Sequence, residues 1–134
     1  MAARLPWWKR WFGSRSERAA ARFLKRLGYR ILKRNYKCPH GELDLVALDG
    51  ACIVFVEVRS TADPDPTRAA ASVVAAKQQR LTRLALHFLQ HYRLLDRHAR
   101  FDVLAVSWPE GQREPLIVHH RSAFEAVGRF QMYS

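Results

Sequence analysis

The sequence predicts one α/β domain with a mixed central sheet flanked by helices, and three observations carry that prediction. Apolar runs of strand length at 41–47, 53–59 and 100–106 alternate with stretches whose apolar residues recur at helical spacing. Between the first two runs stands Asp49-Gly50, the residue pair of a tight β-hairpin. The 134 residues, 49% of them hydrophobic, are enough for one core and too few for two comfortable domains.

Taken in order, residues 1–13 form a basic, tryptophan-rich segment ahead of a single domain at 14–134. Trp7, Trp8, Trp11 and Phe12 stand among Arg4, Lys9 and Arg10. Such rings suit stacking on bases, lying in a membrane interface or covering the core. Ser14-Arg15-Ser16-Glu17 fits a capping box that opens a helix, with Ala19, Ala20, Phe23, Leu24 and Leu27 at helical spacing and Gly28 placed to end it. A first strand follows at 29–35, then the two acidic strands. Residues 61–66, with Pro64 and Pro66, read as a loop. A long helix is expected at about 70–92, burying Val74, Leu81, Leu84, Ala85, Phe88 and Leu89 and turning Lys77, Arg80 and Arg83 to a basic side. Strands at 100–106 and 116–120 and a short helix from about Ser122 complete the chain.

The chemistry lies in the two acidic strands. Alternate strand side chains share a face, which predicts Glu42 and Asp44 on one side of the sheet and Leu43 and Leu45 on the other. Glu57 and Arg59 likewise share a face, so an ionised Glu57 stands inside one of the most apolar stretches of the chain. Burying an unpaired carboxylate costs roughly several kcal/mol, so a cation or hydrogen bonds must compensate it. The hairpin lays the strands side by side and lets Asp44 and Glu57 converge. Convergent carboxylates beside a cationic side chain are what Mg²⁺-assisted phosphodiester hydrolysis needs, because hard Mg²⁺ takes oxygen ligands and activates water. The same residues also admit a structural reading, with Glu57 and Arg59 as an ion pair and Glu42 and Asp44 solvated.

The order Glu17, Asn35-Tyr36, Gly41-Glu42-Leu43-Asp44-Leu45, an apolar strand, Glu57-Val58-Arg59 and a helix beginning near Lys77-Gln78 resembles the bacterial YraN family of predicted endonucleases. That family is similar to archaeal Holliday-junction resolvases and to the restriction-endonuclease-like, PD-(D/E)XK superfamily. The resemblance covers about residues 15–106. It implies a restriction-endonuclease-like fold and a Mg²⁺- or Mn²⁺-dependent DNA endonuclease, acting on branched or recombination intermediates. Carried over, it makes Asp44 the central metal ligand, Glu57 the second and Glu17 a third that acts through water, although the capping box explains Glu17 equally well.

One departure matters chemically: Arg59 stands where the superfamily's usual motif has lysine. Guanidinium stays protonated, so Arg59 is no general base and would instead hold the scissile phosphate. Lys77 either supplies the missing ammonium from the following helix or is an exposed helix lysine. The substitution equally suits a noncatalytic nucleic-acid-binding module of the same fold. Resolvase-like relatives imply a homodimer.

Composition fits a polyanion partner. With 23 Lys plus Arg against 12 Asp plus Glu, the formal charge of +11 favours nucleic acid, DNA by the resemblance, over an anionic membrane surface. Lys33, Arg34 and Lys37, between the first strand and the acids, are expected to follow its backbone. Cys38 and Cys52 make no disulfide framework and suit a reducing, cytoplasmic setting. No apolar run approaches the ~20 residues that span a bilayer, and residues 1–12 lack a signal peptide's apolar core. His87 and His91 with Cys38-Pro39-His40 are an incomplete zinc set.

Overall fold

The computed structural model describes residues 7–61, 73 and 75–124, with side chains from residue 15 onward. Its elements are α1 (Trp7–Arg26), β1 (Arg30–Cys38), β2 (Gly41–Asp49), β3 (Cys52–Ser60), α2 (Ala75–His91), β4 (Ala99–Ser107) and β5 (Leu116–Phe124). The strands form one sheet in the order β1-β2-β3-β4-β5. All neighbours are antiparallel except β3 and β4, which run parallel. A parallel pair needs a long crossover, and the segment carrying α2 provides it. This is the expected α/β architecture, a mixed five-stranded sheet with two helices, and it is consistent with a restriction-endonuclease-like domain.

Alternation along β3 divides the core. Val54 and Val56 pack with Ala20, Ala21 and Leu24 of α1, whereas Ile53 and Phe55 pack with Leu81, Leu84, Phe88 and Leu89 of α2. Each helix therefore covers one face, and the alanines of α1 let its backbone approach the sheet closely. The Asp49-Gly50 hairpin forms as expected: Asp49 pairs with Cys52, and Gly50 takes the positive φ of 60° that the turn requires. Gly28 ends α1 at φ 94°, with the Tyr29 N–H donating to the Leu24 carbonyl at 2.9 Å.

Three element ends differ from the sequence expectation, the first being that of β1, which continues past Asn35 to Cys38. Helix α1 begins at Trp7, so Ser14 lies inside it rather than at its start. Gly13 is passed through, at a cost of about 1 kcal/mol relative to alanine that a long helix tolerates. Strand β5 continues through Ser122 to Phe124 where a helix was expected, because the Ser122 N–H is taken by Asp102 of β4. Helix α2 runs from Ala75 to His91; residues 70–72 and 74, the loop beyond Thr61, any terminal helix beyond 124 and the side chains of the tryptophan-rich segment lie outside the described residues.

Candidate active site

Strict alternation fails at Asp44. Leu43 packs in the core beneath α2, but Leu45 packs beneath α1, although alternation would put both on one face. Opposite this break, Asn35 of β1 has φ 52° and drops out of the regular pairing between Arg34↔Leu45 and Tyr36↔Leu43. On the other side the β2–β3 ladder ends at Leu45↔Val56. Beyond it the Val58 N–H donates to Asp44 Oδ2 at 2.9 Å, so the carboxylate fills the gap where the strands part.

Four acids gather at that gap. Glu57 is buried at 8% exposure, and the Lys77 ammonium from α2 lies 2.6 Å from its Oε1. Asp44 sits against Glu57; burial, then the Glu57 charge and a hydrogen bond to it, push the Asp44 pKa up to about 8 despite the opposing Val58 N–H. At neutral pH this pair therefore retains a proton. Glu17 comes from α1 and is half-buried; burial and the neighbouring Glu42 raise its pKa, while a bond from Asn35 opposes the rise. The Asn35 amide, with its nitrogen turned to the acids, donates to Glu17 Oε2 at 2.7 Å and to Glu42 Oε1 at 2.8 Å. Glu17 thus points into this cluster, and the capping-box reading is replaced by one in which an asparagine holds two carboxylates together.

The remaining candidates are placed less centrally. Arg59 lies on β3 two residues beyond Glu57 and is half-buried. Lys33, Arg34 and Lys37 are exposed on β1, and among the described residues no ion pair ties them to the acids. Ser16 is buried at the end of β3, bonded to Ser60 Oγ at 2.6 Å and to Trp108 Nε1 at 3.1 Å, and it fixes α1 beside the cluster.

The acids and their partners fall inside a recognisable family segment. Residues 16–106 match the Uncharacterised protein family UPF0102. The chain belongs to the UPF0102 family, the YraN family of the sequence resemblance. A UPF0102 protein of Syntrophus aciditrophicus (strain SB) is 46% identical over 119 residues, which is 87% of this chain and 91% of the relative. One from Moorella thermoacetica is 47% identical over 100 residues, 75% of this chain and 82% of that one. One from Chloroflexus aurantiacus is 42% identical over 125 residues, 92% and 98% of the two chains.

The UPF0102 segment includes Glu17, Asn35, Glu42, Asp44, Glu57, Arg59 and Lys77, while Arg15 and Trp108, stacked at 3.5 Å, flank it. Asn35 is the site residue that spacing alone did not assign; its only signal was its place beside Tyr36 in the resembled motif. The donor set of Asp44, Glu57 and Glu17 is all oxygen, the chemistry of a hard divalent cation, and the proton retained by Asp44 and Glu57 is what such a cation would displace. Among the described residues no group of three or more His, Cys, Asp or Glu side chains is arranged to hold a metal ion. No helix among the described residues is long and apolar enough to cross a membrane.

Proposed function

We propose that this UPF0102 chain is a metal-dependent endonuclease that hydrolyses DNA phosphodiester bonds, with branched or recombination intermediates as its substrate class. The observation that carries this reading is the cluster of Asp44, Glu57 and Lys77 at the point where β2 and β3 part. Asp44 and Glu57 would hold Mg²⁺ or Mn²⁺, with Glu17 reaching it through water. The bound ion would supply a more acidic water and positive charge for the phosphate. Lys77 then brings an ammonium to the acids from outside the strand motif, and it meets the charge that develops on the leaving oxygen. Arg59 cannot give up its proton, so its part is to orient the scissile phosphate. Lys33, Arg34 and Lys37 follow the DNA backbone along β1. A homodimer would present two such sites for paired cuts, and a cytoplasmic setting belongs to the same reading.

One observation favours a second reading, a noncatalytic nucleic-acid-binding module. The Lys77 ion pair and the retained proton already compensate the acids without a metal. The two separate in one assay: labelled branched, duplex and single-stranded DNAs incubated with Mg²⁺ or Mn²⁺, with identically purified Asp44→Ala as control. Cutting by the parent and not by the variant is the expected result. Binding that falls steeply with salt, with no cutting by either protein, would establish the module instead.

A further inference from the structure

The acid cluster lies at one end of a longer surface. The first turn of helix α2 lies beside it at Lys77, and the helix carries Arg80, His87, His91 and, just past its end, Tyr92. The β1–β2 turn folds against this helix so closely that a Cβ on Gly41 would meet Leu84 at 3.7 Å and Arg80 at 3.9 Å. That approach sets the His40 ring 6.1 Å from His87, centre to centre. His87 and His91 follow one turn apart, with planes 9° from parallel and centres 6.3 Å apart. Tyr92 meets His91 edge-on at 4.7 Å, and Lys33 of β1 reaches to 5.7 Å from the Tyr92 ring.

This row of rings is held from below and open above. The Tyr36 hydroxyl is 2.7 Å from His87 Nδ1, and Phe88 packs beneath Tyr92 at 4.7 Å, so two of the rings are fixed before any ligand arrives. His40 and His91 are exposed, and Tyr92 keeps 38% of its surface in solvent. Arg80 at the acid end and Lys33 at the far end are exposed as well, and among the described residues neither is paired with an acid. Lys77 and Tyr92 are separated by about 20 Å at helical rise.

We infer that this row binds a single-stranded segment of nucleic acid leading away from the acid cluster, with bases laid on the His40, His91 and Tyr92 rings and phosphates met by Arg80 and Lys33. The inference rests on the nucleic-acid reading above and names the form of substrate it would take, a strand unpaired beside the point of cutting. A row of rings with a cation at each end matches what a single strand offers, a π-face on every base and a charge on every linkage. A duplex keeps its base faces stacked inside and gives the rings nothing. An apolar protein partner would find a cation at each end of the row and a chain of formal charge +11.

Fluorescence anisotropy tests this on the full chain in EDTA, so that the result is independent of cleavage. The probes are labelled oligo-thymidylate and a blunt duplex of equal length. The variants are His40→Ala and His91→Ala, both at exposed positions, and Tyr92→Leu, which keeps apolar packing on Phe88. Each variant should bind the single strand at least about fivefold more weakly, the low end of what stacking one base contributes, and bind the duplex within twofold of the parent. Unchanged single-strand affinity, equal losses on both probes, or a parent that binds only duplex would overturn the inference while leaving the nuclease reading standing. A parent that binds neither probe would overturn the inference as well, and the nuclease reading would then stand or fall on the branched-DNA cleavage assay.

Discussion

Asp44 and Asp102 are acids of the same sheet, and their surroundings drive them in opposite directions. Asp102 of β4 is fully buried, yet it accepts from Arg100 Nε at 3.0 Å, from the Ser122 N–H at 3.0 Å and lies 2.7 Å from His119 Nε2. Burial pushes its pKa up, but the His119, Arg100 and Ser122 bonds outweigh that and leave it below the usual carboxylate value. Arg100 also reaches Asp49 at 2.9 Å and Tyr29 at 2.7 Å, so this network ties β4 and β5 to the β2–β3 hairpin and to the exit of α1. Asp44 meets one backbone N–H and a second carboxylate, and its pKa rises to about 8. A buried acid with its full set of donors holds a fold together. One placed against another acid is kept at a cost, and sites for chemistry are where such costs collect.

The sharpest way to break this comparison is to remove each carboxylate and measure stability. Asp102→Ala strands a guanidinium, a histidine and a backbone N–H, and should cost about 3–5 kcal/mol in urea unfolding. Asp44→Asn keeps an acceptor for Val58 and a donor for Glu57, and should leave stability at pH 7 unchanged or raised. Equal losses in both variants would mean that Asp44 is structural too.

Lys77 sharpens the contrast from the functional side. Lys77→Met should lower metal-dependent cleavage by about a hundredfold, as loss of one charge-stabilising donor does elsewhere. A rate within a fewfold of the parent would return Lys77 to an ordinary helix lysine.

Acid and base should then act on the two carboxylates with opposite sign in the metal-free protein. The folded pKa of Asp44 lies above its unfolded value, so its favourable contribution is complete below about pH 4 and is lost as pH rises toward about 8. One proton limits that slope to about 1.4 kcal/mol per pH unit. The folded pKa of Asp102 lies below its unfolded value, so its contribution is present above about pH 4 and lost as pH falls through the lowered value. Urea midpoints across this range should show Asp44→Asn flattening only the neutral limb and Asp102→Asn only the acid limb. The smallest effect expected is that of Arg59→Lys, under about tenfold in cleavage rate, because the ammonium already comes from Lys77. A larger gain would show that Lys77 does not fill that place.

Much of the framework was legible because it follows from local chemistry. Asp49-Gly50 specified its hairpin and Gly28 the end of α1, and the apolar runs marked β2, β3 and β4. The convergence of Asp44 with Glu57 also followed from that hairpin. What the sequence did not reveal depends on contacts between distant elements. Alternation placed Leu43 and Leu45 on one face, but the pattern breaks at Asp44, opposite Asn35 with its positive φ; asparagine tolerates that conformation, yet its presence alone does not say that a strand will use it there. Ser14 looked like a cap because Glu17 stands three residues on, yet α1 starts earlier, at Trp7. The strand character of Ser122 depends on an acid twenty residues away in β4.

The central claim is that Asp44 and Glu57 hold a proton where a divalent cation belongs. Isothermal calorimetry with Mn²⁺ or Mg²⁺ at pH 7, repeated in buffers of different ionisation enthalpy, counts the protons released on binding. The account predicts binding by the parent with release of close to one proton, and loss of both binding and release in Asp44→Asn. Binding without proton release, or equal binding by Asp44→Asn, would contradict it.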